Sequence, residues 1–231
     1  MVKQLYRVYL LLGSNMGNRE EILNRAVLKL IDALLPDYTE VASLDEAVNT
    51  SSPYETEPWG FESKEKFINQ AFTCVTELPP HRVLEECLRI EKELGRVRDG
   101  ARFNDKGERV YSSRPIDIDI LLAYEQRNLP PDGSGLETAA SAGVKNGEGE
   151  RVLSGSRRGN GRDRDRENGI SRGGNGKNGR RGLDNAVWEL CRIDDEDLVI
   201  PHPRMHEREF AKLPMREFVK GAPKGFAELV K

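Results

Sequence analysis

The sequence has few cysteines, histidines and aromatic residues, and this scarcity argues against several classes of protein. It contains 3 cysteines and 3 histidines in 231 residues, and aromatic side chains make up 6% of the chain. Cys74, Cys87 and Cys191 lie far apart and form no Cys-x-x-Cys pair, which argues against a disulfide framework and a zinc site. We expect small core residues in a reducing compartment, and hence a cytoplasmic protein.

Long apolar runs and the common nucleotide-binding fingerprints are also missing. The N-terminal run VYLLLG is too short for a membrane span and lacks a signal-peptide layout, so no membrane association is expected. No G-x-x-x-x-G-K-[ST] motif occurs, which excludes a P-loop, and GSNMGN does not match G-x-G-x-x-G. We interpret its glycines, Gly13 and Gly17, as part of a strand-to-helix turn.

One internal segment accounts for most of the low hydrophobicity. Residues 128–182 hold 14 of the 22 glycines, six asparagines and no aromatic residue. Such a segment buries too little apolar surface to offset its ordering entropy, so we predict a disordered Gly/Arg/Asn-rich insertion within a single domain spanning residues 1–231. The segment has 11 basic and 7 acidic residues, so the rest of a chain of net charge −3 carries −7. An acidic body does not favour nucleic-acid binding.

The remaining sequence predicts a mixed α and β pattern. YRVYLLLGSN predicts a strand followed by a helix that Asn18 caps, with Glu21 completing a capping box. Further strands are predicted at Thr39–Ser43 and in KFINQAFTCVTEL, followed by a helix that Gly95 terminates. This β–α–β, β–α–β order predicts an α+β, ferredoxin-like fold, a mostly antiparallel sheet with helices packed on it.

The stretch SSRPIDIDILLAY places two carboxylates in a predicted buried strand. Asp117 and Asp119 alternate with a face formed by Ile116, Ile118, Ile120 and Leu122, so they project together, about 6–7 Å apart at their Cα atoms. Oxygen ligands of this kind suit Mg²⁺, which uses one or two carboxylates plus phosphate oxygens. Arginines flank the strand on both sides in sequence, a composition typical of a phosphate-handling site. A solvated strand face with two surface aspartates is the plain alternative.

These motifs together resemble the family of 6-hydroxymethyl-7,8-dihydropterin pyrophosphokinase, an enzyme of folate biosynthesis. SSRPIDIDILLAY is similar to its signature, and LLLGSNMGNRE, SSPYETEPWGF, RIEKELGRVR and LVIPHPRMHEREF follow the family order from about Tyr6 to Phe210. The resemblance implies a ferredoxin-like enzyme that transfers the β,γ-pyrophosphate of ATP to the pterin hydroxymethyl group and releases AMP. It implies two Mg²⁺ ions as cofactors, with ATP and the pterin as partners, and we expect a monomer.

The resemblance also assigns residues to roles. Asp117 and Asp119 correspond to the metal ligands, and Arg96, Arg98 and Arg114 to catalytic arginines on the phosphates. The positions matched to ATP binding are Glu91, Arg96, Arg98, Arg114, Ile120, His202 and Arg208. The positions matched to pterin binding are Thr56, Pro58, Trp59, Phe67, Asn69 and Phe210, with the ring between the two phenylalanines.

Two features depart from the family pattern. RFNDKGERVYSSR is longer than the usual passage before the aspartates, has Phe103 where the family has tryptophan, and predicts a turn at NDKGE. The second departure is the insertion, whose ends must lie close together because both flanks belong to one fold.

Other functions fit parts of the pattern. An RNA-binding protein would suit the Arg-Gly-rich segment, but the chain lacks the aromatic K/R-G-F/Y strand of such domains. A glycosyltransferase could use Asp-x-Asp for a metal and a nucleotide sugar, but those domains are generally larger. A catalytically dead scaffold is the third alternative, although the matched charged residues are all present.

Overall fold

The structure, a computed structural model, describes residues 3–35, 47–98, 111–127 and 187–231. The strands are β1 (Tyr6–Ser14), β2 (Val48–Thr50), β3 (Tyr54–Thr56), β4 (Phe67–Thr76), β5 (Asp117–Arg127), β6 (Val187–Leu190), β7 (Ile193–Asp194) and β8 (Val199–Ile200). The helices are α1 (Arg19–Leu34), α2 (Pro80–Glu93), α3 (Glu209–Met215), a 3₁₀ turn (Arg216–Phe218) and α4 (Phe226–Leu229). This is the predicted α+β class.

An antiparallel sheet forms the centre of the fold. Its strands follow the order β2-β4-β1-β5-β6, with β3 also pairing with β4, while β7 and β8 form a separate pair. Strand β1 is central and antiparallel to both β4 and β5. Among the described residues, no helix has the length and apolar character needed to cross a membrane.

Each face of the sheet has its own apolar core. Val8, Leu10 and Leu12 of β1 point to one face, where they pack with the buried sides of α1 and α2. Tyr9 and Leu11 point to the other face and pack with the C-terminal segment, including Met215, Phe218 and Phe226. The alternation along β1 is that of a strand buried on both sides.

The predicted helix boundaries are confirmed by their caps. The Asn18 side chain accepts a hydrogen bond from the Glu21 backbone N–H at 3.4 Å, and its amide donates to the Glu21 carboxylate at 3.0 Å. Helix α2 ends at Glu93, and Gly95 follows with φ +91°, a left-handed conformation that glycine adopts without strain.

The prediction of which residues share the apolar face of the aspartate strand is wrong for one residue, Leu122. Ile116, Ile118 and Ile120 pack with the helices, but Leu122 belongs to the opposite core with Tyr9. The reason is a bulge, because Leu10 pairs with Ile120 and Tyr9 with Leu122, which leaves Leu121 as an extra residue. The bulge lies beyond the aspartates and leaves their own alternation intact.

Several predictions lie outside the described residues. They are the strand at Thr39–Ser43, the turn at NDKGE, the role of Phe103 and the disorder of 128–182. Arg127 and Val187, the described residues nearest the insertion on either side, pair across β5 and β6. The ends of the insertion at 128 and 182 lie outside the described residues, so their closeness stays a prediction. The cysteines are free, with Cys74 and Cys87 buried and Cys191 half-buried.

Candidate active site

Three strands bring the candidate residues together at one end of the sheet. Gly13, near the end of β1, pairs with Asn69 of β4 on one side and with Asp117 of β5 on the other. Leu11 pairs with Asp119 in the same register. The central strand therefore fixes both aspartates and the asparagine in adjacent rows, without help from a flexible loop.

The two aspartates have different electrostatic surroundings. Asp117 forms ion pairs with Arg96 and, at 2.5 Å, with Arg114. Burial alone would raise the pKa of Asp117, but Arg114 and Arg96 outweigh it and hold that pKa below its usual range. For Asp119, burial and the neighbouring Asp117 raise the pKa to about 7. No described residue forms a hydrogen bond or an ion pair with the Asp119 side chain, so this carboxylate is the poorly neutralised member of the pair.

Glu91 anchors the arginines behind the aspartates. It is 1% exposed, pairs with Arg96 at 2.6 Å and with Arg98, and accepts a hydrogen bond from the Ile118 backbone N–H at 2.8 Å. Burial raises the pKa of Glu91, while Arg96 and Arg98 act against that rise. A buried carboxylate with this many partners orders the arginines rather than meeting solvent.

Two cavities meet at the aspartates. The first, here called the aromatic cavity, is lined among others by Thr56, Trp59, Phe67, Asn69 and Phe210. The second, here called the charged cavity, is lined among others by Arg96, Arg98, Ile120, Leu198 and His202. Both cavities share five side chains: Tyr111, Arg114, Asp117, Asp119 and Arg208.

Arginine side chains narrow the aromatic cavity to about 30 Å³. The Arg114 guanidinium lies 5.3 Å from the centre of the Phe67 ring. The Arg208 guanidinium lies 4.7 Å from the Trp59 ring and 5.8 Å from the Phe210 ring. These are cation–π distances, so the aromatic faces that suit a flat heterocycle are covered by cations that also line the charged cavity.

Asn69 supplies the buried polar group of the aromatic cavity. It is 3% exposed, and its amide donates a hydrogen bond to the Thr56 hydroxyl at 2.7 Å. A Cβ atom at Gly13 would lie 2.9 Å from Asn69 Oδ1, so glycine provides the room for this side chain. The Asn69–Thr56 pair presents hydrogen-bonding groups at the edge of an otherwise apolar slot.

The charged cavity is much larger, at about 630 Å³, within the range of small-molecule sites. Burial and the positive charge of Arg208 lower the pKa of His202 to about 4, so its imidazole is neutral at pH 7. His202 Nδ1 accepts a hydrogen bond from the Arg204 backbone N–H at 3.2 Å, which leaves the proton on Nε2. His202 can therefore donate a hydrogen bond to an anionic ligand.

Most of the residues predicted from sequence line these cavities, with two exceptions. Pro58 lines neither cavity, and Glu91 lies behind the wall of the charged cavity. Sequence reasoning did not select Leu11 or Tyr111, and it treated Gly13 only as part of a turn. Tyr111 contacts the Trp59 ring edge-on, with 5.6 Å between ring centres, and its hydroxyl accepts a hydrogen bond from Arg204. Tyr111 could have been selected from the sequence because it lies three residues before Arg114, a residue already predicted to belong to the site.

The side chains at the aspartates show whether the site could bind a metal ion. Within the described ranges, no group of three or more His, Cys, Asp or Glu side chains could hold an ion by itself. Two half-buried carboxylates, one of them poorly neutralised, still fit Mg²⁺, because this ion usually takes one or two protein carboxylates and completes its shell with phosphates and water.

Comparison with known proteins gives one consistent family. A family model described as 7,8-dihydro-6-hydroxymethylpterin-pyrophosphokinase matches residues 9–220. A 2-amino-4-hydroxy-6-hydroxymethyldihydropteridine pyrophosphokinase of Bacillus subtilis is 29% identical over 216 residues, which are 94% of this chain and 80% of that protein. A Porphyromonas gingivalis protein of the same name is 44% identical over 115 residues, 50% of this chain and 67% of its own.

Proposed function

The chain belongs to the 7,8-dihydro-6-hydroxymethylpterin-pyrophosphokinase family, its activity is pyrophosphoryl transfer in folate synthesis, and we propose that its two cavities bind the two substrates. The aromatic cavity takes 6-hydroxymethyl-7,8-dihydropterin, and the charged cavity takes ATP. The observation that carries this proposal is the position of Asp117 and Asp119, which line both cavities at their junction.

The reaction needs the two substrates in contact. The pterin hydroxymethyl oxygen attacks the β-phosphorus of ATP, and the bond from that phosphorus to the oxygen that AMP retains breaks. The hydroxyl proton is released, and the products are the pterin pyrophosphate and AMP. Such a transfer depends mainly on alignment and on neutralisation of phosphate charge, which is what a junction rich in arginine and aspartate offers.

The pterin assignment rests on shape and polarity. Phe67 and Phe210 provide the aromatic faces for stacking, with Trp59 beside them, and Asn69 and Thr56 provide hydrogen-bonding groups for the ring edge. Arg114 and Arg208 must leave the rings when the pterin stacks on them. Arg208 has no ion pair among the described residues, so its move breaks only stacking contacts, each worth about 0.5–2 kcal/mol. Pro58 is proposed to act only through the conformation of the loop that carries Trp59.

The ATP assignment rests on charge. Arg96, Arg98, Arg114, Arg208 and His202 provide donors along the charged cavity, and Ile120 provides apolar surface. Arginine is suited to phosphate because its planar donors match two oxygens at once. Arg96, Arg98 and Arg114 are proposed as the catalytic group on the phosphates. Glu91 is proposed to support ATP binding by holding Arg96 and Arg98 in place.

Two Mg²⁺ ions are the proposed cofactor, with Asp117 and Asp119 as their protein ligands. When bound, Mg²⁺ would neutralise charge on the phosphate oxygens that the arginines also contact. Binding would lower the pKa of Asp119, because a cation favours the ionised carboxylate.

Three further properties are part of the proposal. With β3 set aside, β1, α1, β2, β4, α2 and β5 follow a β–α–β–β–α–β order, and their strand order β2-β4-β1-β5 supports a ferredoxin-like fold. The unpaired cysteines support a cytoplasmic protein. We also propose that the enzyme works as a monomer, because each predicted substrate residue comes from this one chain.

The direct test is AMP formation from ATP, measured with and without 6-hydroxymethyl-7,8-dihydropterin, first in Mg²⁺ and then in excess EDTA. We expect AMP only when the pterin and Mg²⁺ are both present. AMP formed without pterin would indicate a different acceptor, and a folded protein that forms no AMP would overturn the assignment of this activity. Activity that persists in EDTA would remove the metal from the proposal.

A further inference from the structure

Asn15, the residue that follows β1, is buried beside both cavities but lines neither. It is 1% exposed. Its backbone N–H donates to the Arg114 carbonyl at 3.2 Å, and its side-chain Oδ1 accepts from the Arg114 backbone N–H at 2.8 Å. Both backbone groups of Arg114 are thus fixed by one residue.

Arg114 is the residue through which this constraint reaches the junction. Its guanidinium pairs with Asp117 at 2.5 Å and lies 5.3 Å from the centre of the Phe67 ring. A shift of the Arg114 backbone therefore moves a cation that contacts the metal-site carboxylate and also covers the pterin-side ring.

The Asn15 amide nitrogen makes a second connection. Nδ2 donates to the Ser113 hydroxyl at 2.9 Å and to the Glu65 carbonyl at 3.4 Å. Glu65 lies two residues before Phe67, on the loop that enters β4. The hydroxyls of Ser63 and Ser113 lie 3.4 Å apart and join the same two loops. One side chain therefore ties the loop of the aromatic cavity to the loop that carries Arg114.

We propose that Asn15 is a positioning residue for pyrophosphoryl transfer, which holds residues 63–67 and 113–114 in register so that Arg114 meets Asp117. The inference rests on the proposed function for its catalytic consequence, whereas the link between the loops does not. Only an amide satisfies the site, because the side chain must accept from the Arg114 backbone N–H and donate to the Glu65 carbonyl, whereas the Ser113 hydroxyl can donate or accept.

The test is a double-mutant cycle in the AMP assay. Asn15→Ala is expected to lower kcat at saturating substrates at least about tenfold, with smaller changes in the two KM values. If Asn15 acts through Arg114, the same substitution in an Arg114→Ala background changes kcat less than about twofold. An equal fold-change in both backgrounds would overturn the proposal.

Asn18→Ala is the matched control for a merely structural effect. Asn18 lies in the same turn, is exposed and caps α1, so its loss lowers stability without touching either cavity. We expect its kcat to stay within about twofold of the parent. An Asn15→Ala kcat no lower than that of Asn18→Ala would contradict the positioning role.

Hydrogen exchange of the free protein provides a readout that does not require activity. In Asn15→Ala, amides of 63–66 and 111–116 should lose protection together, whereas Asn18→Ala should affect the start of α1. Asn15→Asp keeps the acceptor for the Arg114 N–H but cannot donate to the Glu65 carbonyl, so it should deprotect 63–66 alone. Unchanged exchange in both loops would overturn the link, and an inactive parent enzyme would refute the proposed function alone.

Discussion

The aromatic cavity and the charged cavity share five side chains, yet they hold their arginines by different interactions. Arg96 and Arg98 in the charged cavity pair with the buried Glu91, so their positions are set before any phosphate arrives. Arg208, on the aromatic side, lies against Trp59 and Phe210 without an ion pair among the described residues. Interactions of the first kind are costly to break, and those of the second kind are weak.

The difference predicts how each cavity adapts to its ligand. The charged cavity has about 630 Å³ open, whereas the aromatic cavity has about 30 Å³ and must gain room by moving arginines off its rings. Phosphate is the ligand best able to attract those arginines. Under the proposed assignment, the junction would combine a preformed part, which selects charge, with an adjustable part, which selects a flat ring.

The largest effect should come from the shared aspartates, because their loss affects both cavities. Asp119→Asn is expected to lower kcat at least about 100-fold, or about 2.7 kcal/mol in the barrier. Its thermal stability should be equal to or above that of the parent. A carboxyl whose pKa is raised to about 7 favours folding at low pH and loses that contribution as pH rises from about 4 to 7, so an amide removes a cost at neutral pH.

Asp117→Asn sharpens this prediction. It should lose as much activity but also lose stability, because it removes the partner of Arg96 and Arg114. Activity at 25 °C and the thermal unfolding midpoint should be measured for both variants. Activity should fall in both, whereas thermal stability should fall only in Asp117→Asn. An active Asp119→Asn protein, or one less stable than Asp117→Asn, would contradict the assignment of these two carboxylates.

Arg98→Ala should affect the charged cavity alone. Arg98 contacts Glu91 through two guanidinium nitrogens, and it lines the charged cavity but not the aromatic cavity. We expect the KM for ATP to rise about 20-fold, or about 1.8 kcal/mol, with less than a twofold change in the KM for the pterin.

The matched control for Arg98→Ala is Arg89→Ala. Arg89 is an exposed arginine of α2 that pairs with Glu86 and Glu93 and lines neither cavity. It should leave both KM values unchanged and cost at most about 1 kcal/mol of stability. Equal rises in both KM values for Arg98→Ala would mean that the two cavities are not separate in function.

Gly13→Ala should affect the aromatic cavity alone, and somewhat less. The new Cβ atom would approach Asn69 Oδ1 to 2.9 Å, so Asn69 must shift away from Thr56. We expect the KM for the pterin to rise about tenfold, with the KM for ATP within twofold of the parent. Steady-state kinetics with each substrate varied in turn would measure this.

Gly221→Ala is the control for Gly13→Ala, because it introduces backbone strain without crowding a neighbouring side chain. Gly221 has φ +84° and no atom near the position of a Cβ, so alanine there costs stability by strain and leaves the cavities alone. Gly13 has no such conformation, and its substitution acts only through Asn69. An unchanged KM for the pterin in Gly13→Ala would show that Asn69 does not contact that substrate.

Much of the fold and of the site could be predicted from local patterns. The cap at Asn18, the helix end at Gly95 and the projection of Asp117 and Asp119 from one face depend on spacing of a few residues, which sequence displays directly. The bulge at Leu121 was not predictable, because apolar residues fill both faces of β5 there and the alternation is hidden. Asn15 was missed because its partners lie 50 and 98 residues away in sequence.

The smallest effect should come from the insertion, because the described residues on either side of it line neither cavity. Arg127 and Val187 are paired neighbours across β5 and β6. Deletion of residues 128–182 would leave residues 183–186 between them, a length that suits a hairpin loop. The deletion halves the length of this connection about four times. Because each halving lowers the entropic cost of loop closure by about 0.6 kcal/mol, the variant should gain about 2 kcal/mol in the free energy of unfolding.

We expect the deletion variant to keep kcat/KM for both substrates within about tenfold of the parent. A chain with the 128–182 sequence scrambled keeps length and composition and serves as the control. If the deletion lowers kcat/KM more than tenfold while the scrambled chain is fully active, the length of the segment matters to the site. If both lose activity, its sequence acts on the junction. Either result would show that substrate binding depends on more than the aromatic cavity and the charged cavity.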